Sequence, residues 1–453
     1  MSAQVIAAKP RAVFTQGSTL RHVIIMTATA SVGLFAIFIV DFFSLLYVSW
    51  LKNSEFTAAV GYASQFNFFA MSVNIGMMIP IGALVSRALG AGDRERARRM
   101  AASGLVISGI AATCVAIAAV LGREPLLGLL GAQGETLQVA SNFLAITLPS
   151  NILMALGMGF GGVLRAVGDA RRGMYVTLAG GVITAFTDPL LIFGLGFGVY
   201  GAAIATVISR LVFVVVGLYF SSHIHNMVAR PSVRGIRADF PAFAFIALPA
   251  ILTNLATPFS GAFALRVFSQ YGADAVAANA IIDRTIPIGF AVIFALTGAI
   301  GPIFGQNLGA KLYGRVRQTL MDSLLVTMIY ALGIWALLFL ASGTINTMFH
   351  ASPETARYVT FFCTWGVAAW VALGLLYVAN AAFNNLGYPL YPTLFNWGRA
   401  TLGTIPFVTF GAAQGGVEGG MAWLVAGAAL FSISGVITAF LVVNRLALRR
   451  KTA

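Results

Sequence analysis

The sequence has few charged residues and few cysteines, and each shortage excludes a class of protein. Only 9% of the 453 residues are charged, whereas soluble domains carry roughly 25%. Hydrophobic residues make up 59%, and the mean hydropathy is +0.88, so the chain is a polytopic membrane protein. The two cysteines, Cys114 and Cys363, each lie alone in an apolar run. Neither a disulfide framework nor a cysteine metal site is therefore expected.

Acidic residues are also scarce, since 14 Asp and Glu accompany 28 Lys and Arg and leave a net charge of +14. Such a surplus can indicate nucleic-acid binding, but here the basic residues fall at the chain ends and in every second loop. The RERARR run at 94–99 is one example, whereas the alternate loops hold only Lys52, Arg123 and Arg357. This is the positive-inside pattern of a membrane protein. We therefore expect no nucleic-acid partner, and both termini in the cytoplasm.

Long apolar runs dominate the chain, and a helix needs about 20 such residues to cross a bilayer. Twelve runs qualify, at approximately 20–51, 56–87, 97–121, 136–164, 172–194, 199–222, 240–270, 273–308, 315–341, 354–385, 389–411 and 418–445. The sequence therefore predicts an all-α polytopic membrane protein with twelve transmembrane helices.

An internal repeat relates the two halves of the chain. At a constant offset of 219, the residues Gly82, Leu89, Gly90, Ala91, Arg96 and Arg98 match Gly301, Leu308, Gly309, Ala310, Arg315 and Arg317. A parallel repeat of this kind predicts two pseudo-symmetric six-helix bundles with a cleft near mid-membrane. The predicted units are an N-terminal tail (1–19), a first bundle (20–222), a linker (223–239), a second bundle (240–445) and a C-terminal tail (446–453).

Two carboxylates lie inside predicted spans of the first bundle. Asp41 interrupts the run FAIFIVDFFSLLYVSWL, where a charge at the membrane centre costs about 2.5 to 3.5 kcal/mol. At 1.5 Å per residue, Asp41 lies roughly 15 Å and Asp188 roughly 9 Å from the outer membrane surface. We expect no basic residue of this half at comparable depth. Because two nearby carboxylates resist double ionisation, one of them should hold a proton near neutral pH.

Other polar residues reach similar depths and are expected to complete an ion-coupling pocket with the two acids. These are Thr184, Thr206, Asn67, Gln65, Asn151 and Thr147. Pro189 directly follows Asp188 and has no N–H to donate, so we expect a helix kink that frees the carbonyl of Ala185.

Several motifs resemble those of the MATE (multidrug and toxic compound extrusion) family. They are GALVSRALGAGD after the second span, LRAVGDARRGMYV between the fourth and fifth, DPLLIFGLGFGVYGAAIATVISR through the fifth and sixth, and GQNLGA after the eighth. The resemblance covers about 20–445. Within that family the chain resembles the DinF-type branch, because the repeat offset places Ser260 opposite Asp41 and Phe407 opposite Asp188, so the coupling acids occur only in the first half.

The resemblance implies a secondary active antiporter of the prokaryotic inner membrane that exports lipophilic or cationic drug-like compounds by alternating access. It implies a lipid-embedded protein that works as a monomer, without a cofactor, in exchange for protons or Na⁺. Thr184 and Ile37 stand where relatives often carry Asn and Tyr. Because two oxygen ligands are thereby weakened or lost, protons are favoured.

An enzyme is not expected, because the chain contains no GxSxG, HExxH or Walker motif. The second half, however, places Arg266, Arg284 and Arg399 in predicted spans together with the acid Asp283. We expect Asp283 to form an internal ion pair. The excess arginines could instead meet an anionic headgroup. The alternative function is therefore a lipid-linked precursor flippase of the same broad superfamily.

Overall fold

The computed structural model describes residues 12–51, 54–129 and 131–448. The predicted tails lie largely outside these ranges, with Lys9, Arg11 and the basic residues 449–451, and so does Lys52. The described residues form fifteen α-helices joined by short turns. This all-helical architecture confirms the predicted fold class. Helices are the expected structure in lipid because a helix satisfies its own backbone hydrogen bonds.

The helices of the first half are α1 (Thr19–Ser49), α2 (Ser54–Gly90), α3 (Arg94–Leu129), α4 (Gly134–Thr147), α5 (Asn151–Val167), α6 (Ala170–Pro189) and α7 (Val199–Leu218). Those of the second half are α8 (Val233–Phe268), α9 (Ala273–Gly289), α10 (Ala291–Gly309), α11 (Tyr313–Met348), α12 (Pro353–Phe361), α13 (Val367–Leu386), α14 (Leu390–Ala400) and α15 (Ile405–Leu448).

The described helices account for the twelve predicted spans. Ten stretches are long and apolar enough to cross a membrane, and α4 with α5, bent by 50° at their junction, make an eleventh. The last stretch, Leu390–Leu446, is interrupted by non-helical backbone at Gly415 and Gly416 within α15, so it contains two spans. Helix α8 begins at Val233, inside the predicted linker, because the Ser232 hydroxyl caps it by accepting from the N–H of Gly235.

The two halves meet where α2 and α10 cross, at the end of the molecule that carries the basic turns, here called the basic end. A Cβ atom on Gly90 would lie 2.0 Å from the carbonyl oxygen of Gln306, and one on Gly309 would lie 2.1 Å from that of Arg87. Since the repeat offset relates Gly90 to Gly309 and Arg87 to Gln306, this crossing is symmetric. Only glycine permits so close a backbone approach.

The segment that precedes α1 is anchored at the same end. Phe14 is 1% exposed, and its N–H donates to Oε1 of Gln306 at 2.9 Å. Its carbonyl accepts from the guanidinium of Arg315 at 2.7 Å, while Nε2 of Gln306 donates to the carbonyl of Ala166 at 2.8 Å. Each of these hydrogen bonds joins the first half to the second at the basic end. Helix α1 also packs extensively on α10. It touches α9, the helix before α10, only slightly.

We expect Phe14→Ala to destabilise the protein by about 3 to 5 kcal/mol, because it empties a fully enclosed aromatic site between the halves. Val13 is its neighbour and is 50% exposed, so Val13→Ala serves as the matched control and should change little. Thermal unfolding of both variants in the same detergent measures the difference. Equal losses for the two variants would contradict this account of the anchor.

Asp169 connects the turn before α6 to the linker, also at the basic end. Its Oδ1 accepts from the N–H of Arg172 at 3.0 Å, and its Oδ2 lies 2.9 Å from Nε2 of His225 and also accepts from the Arg172 guanidinium. Burial raises the pKa of the Asp169 carboxyl, but the Arg172 N–H, the His225 ring and the Arg172 side chain outweigh it and hold that pKa below its usual range.

A lowered pKa in the folded state gives this carboxylate a stabilising contribution above the ordinary pKa of Asp, near 4. That contribution is lost as the pH falls through the lowered folded pKa. We expect Asp169→Asn to be less stable than the wild type at pH 7, with a gap that narrows progressively below about pH 4. Unfolding measured for both proteins from pH 7 to 3 tests this, and a gap independent of pH would refute it.

Candidate functional site

Asp188 lies where α6 packs against α1. It is 2% exposed, and its Oδ2 accepts a hydrogen bond from the hydroxyl of Ser44 on α1. Its Oδ1 is buried without a hydrogen-bond partner in the described part of the chain. The two helices approach closely because Gly33 of α1 faces Thr177 of α6, where a Cβ would lie only 2.2 Å from the threonine hydroxyl. The glycine thus brings the two helices, and their polar residues, together.

Asp41 lies one turn before Ser44 on α1. Its side chain is exposed. Its carboxylate interacts electrostatically with Asp188 and with the guanidinium of Arg210 on α7. The structure therefore brings the two predicted acids into one cluster.

Arg210 corrects the expectation that no basic residue of the first half lies at this depth. It follows the start of α7 by eleven residues, which corresponds to roughly 16 Å of helix. Its Nη1 donates to the carbonyl of Thr147 at 2.8 Å and to the hydroxyl of Ser150 at 2.9 Å. The signal was present in the sequence, because Arg210 ends the VISR motif within a predicted span. The cluster thus carries one basic and two acidic side chains.

The backbone beside Asp188 changes its hydrogen-bond pattern at Pro189. Helix α6 ends at this proline and continues as a π-helical turn over Leu190–Gly194. Such turns occur mostly where the regular ladder is interrupted, often at functional sites. The missing N–H of Pro189 accounts for the interruption.

The remaining predicted pocket residues divide into several environments. Asn151 is buried, and it accepts from Nδ2 of Asn74 at 2.8 Å. The hydroxyls of Thr184 and Thr206 each donate within their own helix, at 3.0 Å, to Gly180 and Ala202.

Thr147 is fully buried and contributes its carbonyl to Arg210. Asn67 is half-buried on α2, and the side chain of Gln65 lies outside the described residues. Within the part of the chain that the structure describes, no group of three or more His, Cys, Asp or Glu side chains gathers to hold a metal ion.

The second half lacks the acids at the related positions. Ser260, opposite Asp41 in the repeat, hydrogen-bonds the hydroxyl of Thr404 at 3.0 Å. Asp283 accepts from Nδ2 of Asn279 at 2.8 Å and makes no ion pair within 4.0 Å among the described residues. The expected internal ion pair is therefore wrong. Asp283 and its neighbour Arg284 are both exposed.

Comparison with known proteins shows the family of the chain. The profile of the MatE family matches residues 29–190 and 249–409, one segment in each half. The chain belongs to the MatE family. Its members are MATE multidrug efflux transporters, so the predicted family is confirmed, whereas the DinF-type branch stays a prediction. The chain is an integral membrane transporter.

Individual relatives agree with this assignment. The chain is 26% identical to the FAD transporter of Shewanella oneidensis over 81% of its own length and 82% of the relative's. It is 25% identical to the multidrug export protein MepA of Staphylococcus aureus, over 89% and 86%. The Vibrio cholerae MATE transporter VcmN in its bent form has the same fold, with a TM-score of 0.88 at 23% identity over 95% of this chain and 98% of that one.

Proposed function

We propose that this MatE-family protein is a secondary active antiporter that exports lipophilic or cationic drug-like compounds in exchange for protons, with Na⁺ as the alternative coupling ion. The observation that carries the proposal is the cluster of Asp41, Ser44, Asp188 and Arg210 within the transmembrane helices of the first half. Ionisable groups inside a membrane are costly and mark ion pathways and proton relays.

Protonation would change how the helices of this cluster attract one another. The ionised carboxylate of Asp188 accepts from Ser44, and Asp41 attracts Arg210, so both contacts tie α1 to α6 and α7. Protons bound from outside weaken these attractions, shift α1 against its neighbours and release the substrate. Coupling of this kind requires that proton and substrate prefer opposite states.

The arrangement of the halves supports an alternating-access cycle. The crossing of α2 and α10 and the anchor at Phe14 hold the basic end closed, while α1 and α9 barely touch. We propose that the basic end and both termini face the cytoplasm of a prokaryotic cell, as the positive-inside rule favours, and that the opening faces outward.

The names of relatives bear on the substrate. MepA is called a multidrug export protein, and the Shewanella oneidensis relative is called a FAD transporter. We propose drug-like cations as substrates of this protein, which acts as a monomer in the lipid of the cytoplasmic membrane, with no cofactor and no nucleic-acid partner. A lipid-linked precursor flippase is the second candidate, and the buried Arg399 of the second half favours it.

The test is transport by the purified protein in liposomes, with a pH gradient and a Na⁺ gradient imposed separately. We expect a pH gradient without Na⁺ to drive efflux of a lipophilic cation. Efflux that requires a Na⁺ gradient would show that the coupling ion is Na⁺ and not a proton. Movement of a lipid-linked saccharide alone would support the flippase and overturn the antiporter.

Orientation can be tested with single cysteines in a background that lacks Cys114 and Cys363. We expect Glu354→Cys to react with an impermeant maleimide added to intact cells, because Glu354 lies at the end opposite the basic turns. Arg234→Cys should react only after the cells are opened. External labelling at position 234 would reverse the proposed topology.

A further inference from the structure

Arg399 is a charge in the interior of the second half. It lies on α14, nine residues past Leu390, and therefore roughly 14 Å from the basic end. It is 5% exposed, and its Nη2 donates to the hydroxyl of Thr257 at 3.1 Å. Its Nε is buried without a hydrogen-bond partner in the described residues. A buried charge with an unused donor is costly unless something supplies the missing partner.

The described side chains around Arg399 do not include a counter-charge. No carboxylate lies within 4.0 Å of its guanidinium among the described residues, and Asp283 is held by Asn279 instead. Arg210, the deep arginine of the first half, differs because it interacts with Asp41. Arg399 is thus a deep arginine that the fold leaves without an anion.

The groups near Arg399 are neutral hydroxyls that can donate hydrogen bonds. Thr257 on α8 accepts a hydrogen bond from the guanidinium, and Tyr377 on α13 interacts with it electrostatically. Ser260, one turn beyond Thr257, bonds to Thr404, whose hydroxyl also donates to the carbonyl of Arg399 at 2.9 Å. Because Ser260 is the repeat equivalent of Asp41, the two halves carry opposite polarity at related places: acids in the first and an arginine with hydroxyls in the second.

We propose that Arg399, with Thr257 and Tyr377, binds an anionic group of the transported molecule, a carboxylate or a phosphate. Guanidinium groups bind both in a forked geometry, and the free Nε beside Nη2 supplies the second donor. The inference rests on the proposed export function and adds to its substrates compounds that carry an acidic group, including zwitterions whose cationic part faces the acids of the first half.

The test compares two dyes that share one ring system, the anionic fluorescein and a cationic rhodamine ester, by fluorescence anisotropy with purified protein. Loss of a charged hydrogen bond weakens binding by about tenfold to a hundredfold. We expect Arg399→Gln to weaken fluorescein binding by that factor and to leave rhodamine binding within about twofold. Arg266→Gln removes an exposed arginine of the same half and is the matched control.

Two further variants separate a binding role from a structural one. Arg399→Lys keeps the charge and should restore part of the fluorescein affinity, whereas Thr257→Val keeps the arginine and should weaken fluorescein binding while preserving the unfolding temperature. Unchanged fluorescein affinity in Arg399→Gln would overturn the proposal. Equal loss of both dyes in Thr257→Val and Arg399→Lys would overturn it too, because only a general packing role gives that result.

The source of the anion is decided by adding lipid. If phosphatidylglycerol nanodiscs, but not phosphatidylcholine nanodiscs, displace fluorescein in an Arg399-dependent manner, the site takes a lipid headgroup; if neither does, it takes a soluble substrate. Wild-type protein that binds fluorescein through Arg399 but shows no ion-driven efflux would refute the proposed function and leave the anion site standing. Ion-driven rhodamine efflux without Arg399-dependent fluorescein binding would refute the anion site and leave the proposed function standing.

Discussion

Asp41→Asn is expected to uncouple transport without unfolding the protein. The amide keeps the size and hydrogen-bonding capacity of the carboxyl but cannot take up or release a proton. Removing the negative charge of Asp41 relieves its repulsion with Asp188 but also removes its attraction to Arg210. Because these two effects oppose each other, the stability of the protein should change little. Proton-driven efflux of a cation should fall at least about tenfold, the change that corresponds to about 1.4 kcal/mol of lost coupling.

The measurement is efflux driven by a pH gradient in liposomes, normalised to folded protein. Asp188→Asn should behave in the same way, and the double variant should be little worse than either single one, because groups that act as a unit are non-additive. Ser260→Ala, at the related position of the second half, is the matched control and should retain coupling. Wild-type efflux by Asp41→Asn would show that Asp41 only stabilises helix packing and that the cluster is not the coupling site.

The transmembrane architecture could be predicted from the sequence because it depends on local quantities. The length of each apolar run determines whether it can span the membrane. Each span is a helix because a helix satisfies the hydrogen bonds of its own backbone within lipid. The boundaries shifted where local capping extended a helix, as at Ser232 before α8. The break at Gly415 and Gly416 similarly separates the last two spans where the sequence contains a short glycine pair.

The candidate site was predictable only in part, because lateral neighbours in a bundle are not encoded by depth. Depth placed Asp41 and Asp188 at similar levels, and the structure brings them together. It also placed Asn151 at a similar level, yet the side chain of Asn151 pairs with Asn74 and not with an acid. Which face each helix presents depends on packing contacts such as Gly33 against Thr177, and these pair residues far apart in the chain.

Charge pairing could not be inferred from composition either. Asp283 was expected to pair with an arginine of the second half, but Asp283 is exposed on α9 whereas Arg399 is buried beside α8. In the first half, the electrostatic partner of Asp41 proved to be Arg210, on a helix distant in sequence. Opposite charges in one bundle pair only when the helices that carry them turn those faces toward each other.

The repeated glycines give the second large effect, and Gly90→Ala should disrupt the closed basic end. A methyl group there would lie 2.0 Å from the carbonyl oxygen of Gln306 and 2.7 Å from its carbonyl carbon and Cα. These are backbone atoms that no rotamer change can move, so α2 and α10 must separate. Overpacking of this kind costs about 1 to 3 kcal/mol, and more where the neighbour cannot yield. Gly309→Ala should act alike, because its methyl would meet the carbonyl oxygen of Arg87.

Gly82→Ala is the matched control, since it lies in the same helix and has no atom within 4 Å of the added methyl. Alanine favours a helix over glycine at either position, so a loss of stability in Gly90→Ala relative to the wild type comes from the crossing. The readout is maleimide labelling of Ser86→Cys, a position that is fully buried beside Gly305 at this crossing. Labelling should rise in Gly90→Ala and stay at background in Gly82→Ala, together with a lower unfolding temperature for the former alone. If Gly90→Ala matched its control in both measurements, the crossing would not be what holds the basic end closed, and the anchor at Phe14 would have to do so by itself.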